Sequence, residues 1–147
     1  MAMMNGLVRI AEQCTKMKKK LTTAVIMKGQ KKMNQIELQR KRNETSRLVR
    51  FSNRKPHGLY WGTGETDAHI QMKLEICKWL KRQGKEFMTE SIFENGLRAD
   101  VLNLDDAIAY EVMESESMES IKKKVDDYPV DVIWVQARQP FNEKLIL

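Results

Sequence analysis

The 147-residue chain predicts an α/β domain of three layers, and three features carry that prediction. Asn95-Gly96 is the signal of a tight hairpin between two strand-like runs. Helix-period patterns flank the strand-rich stretch, over 67–83 and again after Ser117. Val130-Asp131-Val132-Ile133-Trp134-Val135, just past Pro129, is a short and nearly continuous apolar run, as expected of a strand buried on both faces. The order is helix, strand, strand, strand, helix, strand. A three-stranded antiparallel meander then gains a final strand by a right-handed crossover.

Leu7, Ile10, Cys14, Met17, Leu21 and Ala24 recur at alternating spacings of three and four, which predicts an amphipathic helix over about 5–27, ended by Gly29. Its apolar seam can pack on the domain, pair with a second copy, or leave its basic side against nucleic acid; packing is the commonest fate. Residues 30–58 have few apolar markers. They read as a strand or hairpin around Gln35–Arg40 and Ser46–Phe51, or as a mobile basic linker, with Pro56 and Gly58 as a boundary. This divides the chain into a basic, partly helical extension (1–58) and an α/β domain (59–147). Gly58-Leu59-Tyr60-Trp61-Gly62-Thr63-Gly64 lacks the third glycine of a dinucleotide fingerprint, and Glu65 and Asp67 would repel phosphate. Tyr60 and Trp61 can stack on bases, although a hydrophobic clamp over the core is the commoner use of such rings.

Thr66 or Asp67 caps the next helix, which places His69, Lys73, Ile76 and Leu80 on one inward stripe and ends at Gly84. Strands follow over 86–93, 97–104 and 107–113. Ser117 caps a second helix with Met118, Ile121, Val125 and Tyr128 inward, and Pro129 stops it.

Charge is divided along the chain. Residues 1–58 hold 15 Lys/Arg against three Glu, a balance of +12, while residues 59–147 hold 11 against 17, a balance of −6. A basic arm beside an acidic half suits a protein that grips a polyanion with one part and a cation with the other; a solvated basic surface is the plain alternative. Two cysteines without a CxxC pair and two scattered histidines exclude a structural zinc site. No apolar run spans a membrane and no signal sequence is evident, so the expectation is a cytoplasmic protein with no membrane partner.

The chemistry concentrates in Arg98-Ala99-Asp100-Val101 and Ala107-Ile108-Ala109-Tyr110-Glu111-Val112, adjacent strands with a carboxylate each. Hard divalent ions take one or two protein carboxylates plus waters and phosphate oxygens, so Asp100 and Glu111 form a plausible metal seat for phosphodiester chemistry. The blander reading is that Asp100 pairs with Arg98 or caps a turn, and that Glu111 pairs with a lysine.

With His69-x-x-x-Lys73-x-x-Ile76-x-x-x-Leu80-x-x-x-Gly84, Glu90, Ser115, and Tyr128 before Val132-Ile133-Trp134, these residues resemble the PD-(D/E)XK nuclease superfamily, nearest to CoiA-like and Holliday-junction-resolvase-type nucleases. The resemblance covers about 70 residues, from Asp67 to Gln136. It implies a restriction-endonuclease-like core and a Mg²⁺- or Mn²⁺-dependent DNA endonuclease or resolvase-like enzyme. Asp100, Glu111 and the Val112 backbone carbonyl would ligate the metal. The superfamily's catalytic lysine falls on Met113, which can neither donate a hydrogen bond nor stabilise charge at phosphorus. Lys73 is the preferred substitute and Lys122 to Lys124 the next; His69, Glu90 and Ser115 are accessory candidates, with an exposed strand charge the plainer role for Glu90. Lys16, Lys18, Lys19, Lys20, Lys31, Lys32, Arg40, Lys41 and Arg42 would hold DNA phosphates, and the Leu7 to Ala24 seam offers a route to a homodimer. The competing reading is a nuclease-like fold that has lost hydrolysis and serves as a DNA-binding or assembly module.

Overall fold

In the computed structural model, which describes residues 34–145, a four-stranded mixed sheet is built from β1 (Phe87–Ile92), β2 (Arg98–Asn103), β3 (Ile108–Met113) and β4 (Asp131–Gln136). Strands β1 to β3 form the expected antiparallel meander, and β4 joins β3 in parallel. The described residues contain three α-helices: α1 (Gln35–Arg47), α2 (Asp67–Arg82) and α3 (Met118–Val125). The architecture is therefore mixed α/β. The tight β1–β2 turn needs Gly96, whose φ of 91° suits glycine.

Helix α2 starts where the sequence predicts, with the Thr66 hydroxyl accepting from the His69 N–H at 3.2 Å. Its inward stripe packs Ile76, Leu80 and Trp79 against Phe87, Val101, Tyr110 and Val112 on one face of the sheet. Each fully buried aliphatic there contributes about 1.5–3 kcal/mol. On the opposite face Met88, Ala99, Leu102 and Ala109 pack with Val49, Phe93 and the half-buried Tyr128. The same burial pushes the Cys77 thiol up to about 12, so it behaves as an inert apolar side chain.

Several expectations change. The segment read as a strand, hairpin or linker is helix α1, closed by a reciprocal cap in which Asn34 Oδ1 accepts from the Glu37 N–H at 2.8 Å and Glu37 accepts from the Asn34 N–H. Gln, Glu, Lys and Arg favour helix intrinsically, but Thr45 is the only buried residue of α1, so no apolar period announces it. The compact unit begins at Asn34, and Val49 is one of its fully buried residues although it precedes residue 59. Strand β4 is not buried on both faces: it is the sheet edge, with Asp131 exposed and the rest half-buried. Helix α3 is short; Ile121 is buried but Val125 is 41% exposed. The helix expected over about 5–27, with Lys16, Lys18, Lys19, Lys20, Lys31 and Lys32, lies outside the described residues.

Candidate functional site

Strands β2 and β3 pair only from Val101↔Tyr110 to Asn103↔Ile108, and beyond that point the ladder opens. The side chains of Asp100 and Glu111 fill the opening. Asp100 Oδ2 accepts from the Val112 N–H at 2.8 Å, and Glu111 Oε1 accepts from the Asp100 N–H at 3.2 Å. Each carboxylate thus takes a backbone donor of the opposite strand, in place of the missing ladder bonds. Both residues are 8% exposed.

The side-chain alternation slips by one at this place. Ala99 and Leu102 belong to the core opposite α2, yet Val101 packs under α2 and Asp100 lies against His69 of α2. On β1, Glu90 stands level with Asp100 between the pairs Thr89↔Val101 and Ser91↔Ala99, with a φ of 52°. A left-handed glutamate inside a strand is strained, and such strain clusters at functional sites.

Burial and the neighbouring negative charge of Asp100 push the Glu111 carboxyl up to about 8, against weaker opposition from Tyr128, the Asp100 N–H and Lys124. A cation in the gap would favour the ionised form of Glu111. Above Asp100, His69 Nε2 is occluded from solvent and has no hydrogen-bond partner, though it lies 3.3 Å from Asp100 Oδ2 and 3.9 Å from Glu65 Oε2. An orphaned imidazole nitrogen beside the buried Asp100 carboxylate suits a divalent cation, whereas the half-buried Glu65 is already held by Lys73 and the Gly62 N–H. Among the described residues no three His, Cys, Asp or Glu close around a single point.

Lys73 does not reach this gap. Its side chain is 1% exposed and its ammonium is held by Glu65, at 3.0 Å from Oε2, and by Glu90. From the sequence Glu65 repels phosphate and favours a helix N-terminus, yet the spacing carries a further signal: Glu65, His69 and Lys73 recur every four residues and line one stripe. Burial would raise the Glu65 carboxyl, but the Gly62 N–H and Lys73 outweigh it and hold the group below its ordinary value. Burial prevails at Glu90, which is raised despite Lys73 and Arg98. Glu90 is a paired residue and not an exposed strand charge; besides Lys73 it binds Arg98 at 3.2 Å.

The remaining candidates are dispersed. Val112 adjoins the gap through its N–H. Ser115 is on an exposed bend after β3. Met113 pairs with Gln136 of β4. Lys124 faces Glu116 at 3.1 Å and Trp134 at 6.0 Å. Arg42 is engaged within the protein, by Asp105 at 2.7 and 2.9 Å and by Glu86 at 3.1 Å, whereas Arg40 is exposed and Lys41 half-buried on α1. No protein-family model matches this chain, and neither a curated protein nor a solved structure matches it.

Proposed function

We propose that the chain is a divalent-metal-dependent DNA endonuclease or resolvase-like enzyme on a restriction-endonuclease-like core. The observation that carries this reading is the pair of carboxylates, Asp100 and Glu111, bonded crosswise into the open fork between β2 and β3. One oxygen of each carboxylate accepts from a backbone N–H group, which fixes the carboxylate's orientation in the gap. A Mg²⁺ or Mn²⁺ ion held by Asp100, Glu111 and the Val112 carbonyl would supply charge neutralisation at a phosphodiester and a more acidic water. The Val112 and Asp100 N–H groups hold both carboxylates in place for that task. Among the described residues no helix is long and apolar enough to cross a membrane.

Met113 favours a second reading, a nuclease-like fold that binds DNA or assembles without hydrolysis, because no described lysine faces the gap from that position. Cleavage of plasmid and branched DNA in Mg²⁺ or Mn²⁺ separates the two. The enzyme reading expects nicked or resolved products that fall by at least about 100-fold in Asp100→Ala and Glu111→Ala, the scale of losing one transition-state group. Cleavage that survives both substitutions excludes this site. DNA binding with no cleavage in either metal favours the module.

A further inference from the structure

The segment between α1 and α2 carries aromatic rings that the core does not take up. Phe51 is 85% exposed, Tyr60 45% and Trp61 54%, so the hydrophobic clamp expected of Tyr60 and Trp61 does not form. These rings sit on a segment that is well tied down. The Tyr60 N–H donates to Thr89 Oγ1 at 2.8 Å, the Thr89 hydroxyl donates to the Gly58 carbonyl at 2.8 Å, and the His57 N–H donates to the Phe87 carbonyl at 2.8 Å. The Tyr60 ring folds back over Gly58, so that a Cβ there would press on the outer edge of the ring. Between α1 and α2, residues 48–66 hold Arg50, Arg54 and Lys55 against a single carboxylate, Glu65, which accepts from the Gly62 N–H at 2.8 Å. Arg54 lies 5.5 Å from the Phe51 ring centre and Lys55 5.1 Å from that of Tyr60.

Exposed, preorganised rings interleaved with cations are how sequence-tolerant single-strand binders hold unpaired bases. Tyr60 and Trp61 wall a cavity of about 260 Å³ with Asn53, Lys55, Thr89 and Glu90. That volume is below the ~300–1,000 Å³ of whole-ligand pockets, which suits one ring system. Glu90 in its lining disfavours a phosphate and can accept from the exocyclic amine of a base. The cavity also adjoins the candidate site, since Glu90 stands level with Asp100 across β1 and β2.

We infer that Tyr60 and Trp61, with Lys55, form a stacking platform for an unpaired nucleotide next to the carboxylate gap, so that the substrate carries a single-stranded segment at a fork, flap or branch. This rests on the nuclease reading only for the substrate; the platform itself binds without metal. The test uses the full chain in EDTA with a fluorescent oligodeoxycytidylate, whose bases carry an exocyclic amine, and a duplex of equal length, followed by anisotropy and tryptophan emission. Wild type should prefer the single strand and lose Trp emission on binding. Trp61→Ala and Tyr60→Ala should each bind it about tenfold more weakly, with Trp61→Phe near wild type, because base stacking tolerates any aromatic face.

Equal single-strand binding by wild type and Trp61→Ala would overturn the platform, as would a preference for duplex with unchanged emission. A shift from dimer to monomer in Trp61→Ala by sedimentation would assign the rings to a second copy and overturn it too. In Mg²⁺, Trp61→Ala should cut forked DNA about tenfold more slowly and fully paired duplex no more slowly. Cleavage that depends on Asp100 but is indifferent to Trp61 on both substrates sinks the platform and leaves the nuclease reading standing.

Discussion

Glu111 separates a metal seat from an ordinary buried acid, because its proton belongs to the metal-free state. Its folded value near 8 exceeds the unfolded value near 4.5. Between those two the native state keeps a proton that the unfolded chain has lost, so unfolding releases a proton there. This contribution to stability is complete below about pH 4.5 and is lost as pH rises through about 8; the raised Glu90 carboxyl adds in the same direction. The metal-free protein is therefore expected to melt higher at pH 5 than at pH 8, and Glu111→Gln should flatten that dependence in a calorimetric series. Metal binding should release a proton and strengthen as pH approaches 8. Arg42 makes the opposite kind of prediction. A guanidinium bound bidentately by Asp105 and by Glu86 holds α1 to the sheet end. Arg42→Ala should cost about 1–3 kcal/mol in denaturant unfolding while leaving the salt dependence of DNA binding unchanged, because its charge is spent internally.

Elements with a strong period are legible in the sequence, and those defined by charge are not. Helix α2 and strands β1 to β3 follow from Thr66, the Ile76 and Leu80 stripe, and Asn95-Gly96, since each signal acts locally. Helix α1 escapes because its attachment is a salt bridge to Asp105, 63 residues away, and its apolar content is slight. The β4 run reads as doubly buried because composition does not show that the sheet ends there. Asp100 and Glu111 stand out in the sequence as a pair, but the slip in alternation that brings Asp100 under His69 breaks the period-two rule by which strands are read. Lys73, on α2, is held by Glu65 and Glu90. Lys73→Ala should destabilise the protein by about 1–3 kcal/mol, since it strips two part-buried carboxylates of the ammonium they share and leaves Glu90 only Arg98 and Glu65 only the Gly62 N–H as close partners. Adding Glu65→Gln and Glu90→Gln should restore most of that loss in urea unfolding; a Lys73→Ala protein as stable as wild type would mean the cluster is not structural.

At the scale of the whole molecule, the chain divides its labour by charge: the half with a balance of +12 carries the cations and the half with −6 carries the carboxylate gap. If about five Lys/Arg side chains meet duplex phosphates, log affinity should fall with log salt at a slope near −4 to −5. Replacing Lys18, Lys19 and Lys20 with Gln should make that slope shallower by about one for each lysine that pairs with a phosphate, in anisotropy titrations over a salt series. An unchanged slope would remove those lysines from the interface. The crosswise-bonded carboxylates remain the centre on which this arrangement depends. Electron paramagnetic resonance of Mn²⁺ titrated into the full chain tests them directly. The account predicts bound Mn²⁺ in the wild type and its loss in Asp100→Asn and Glu111→Gln proteins that retain wild-type circular dichroism; Mn²⁺ binding undiminished in both variants would contradict it.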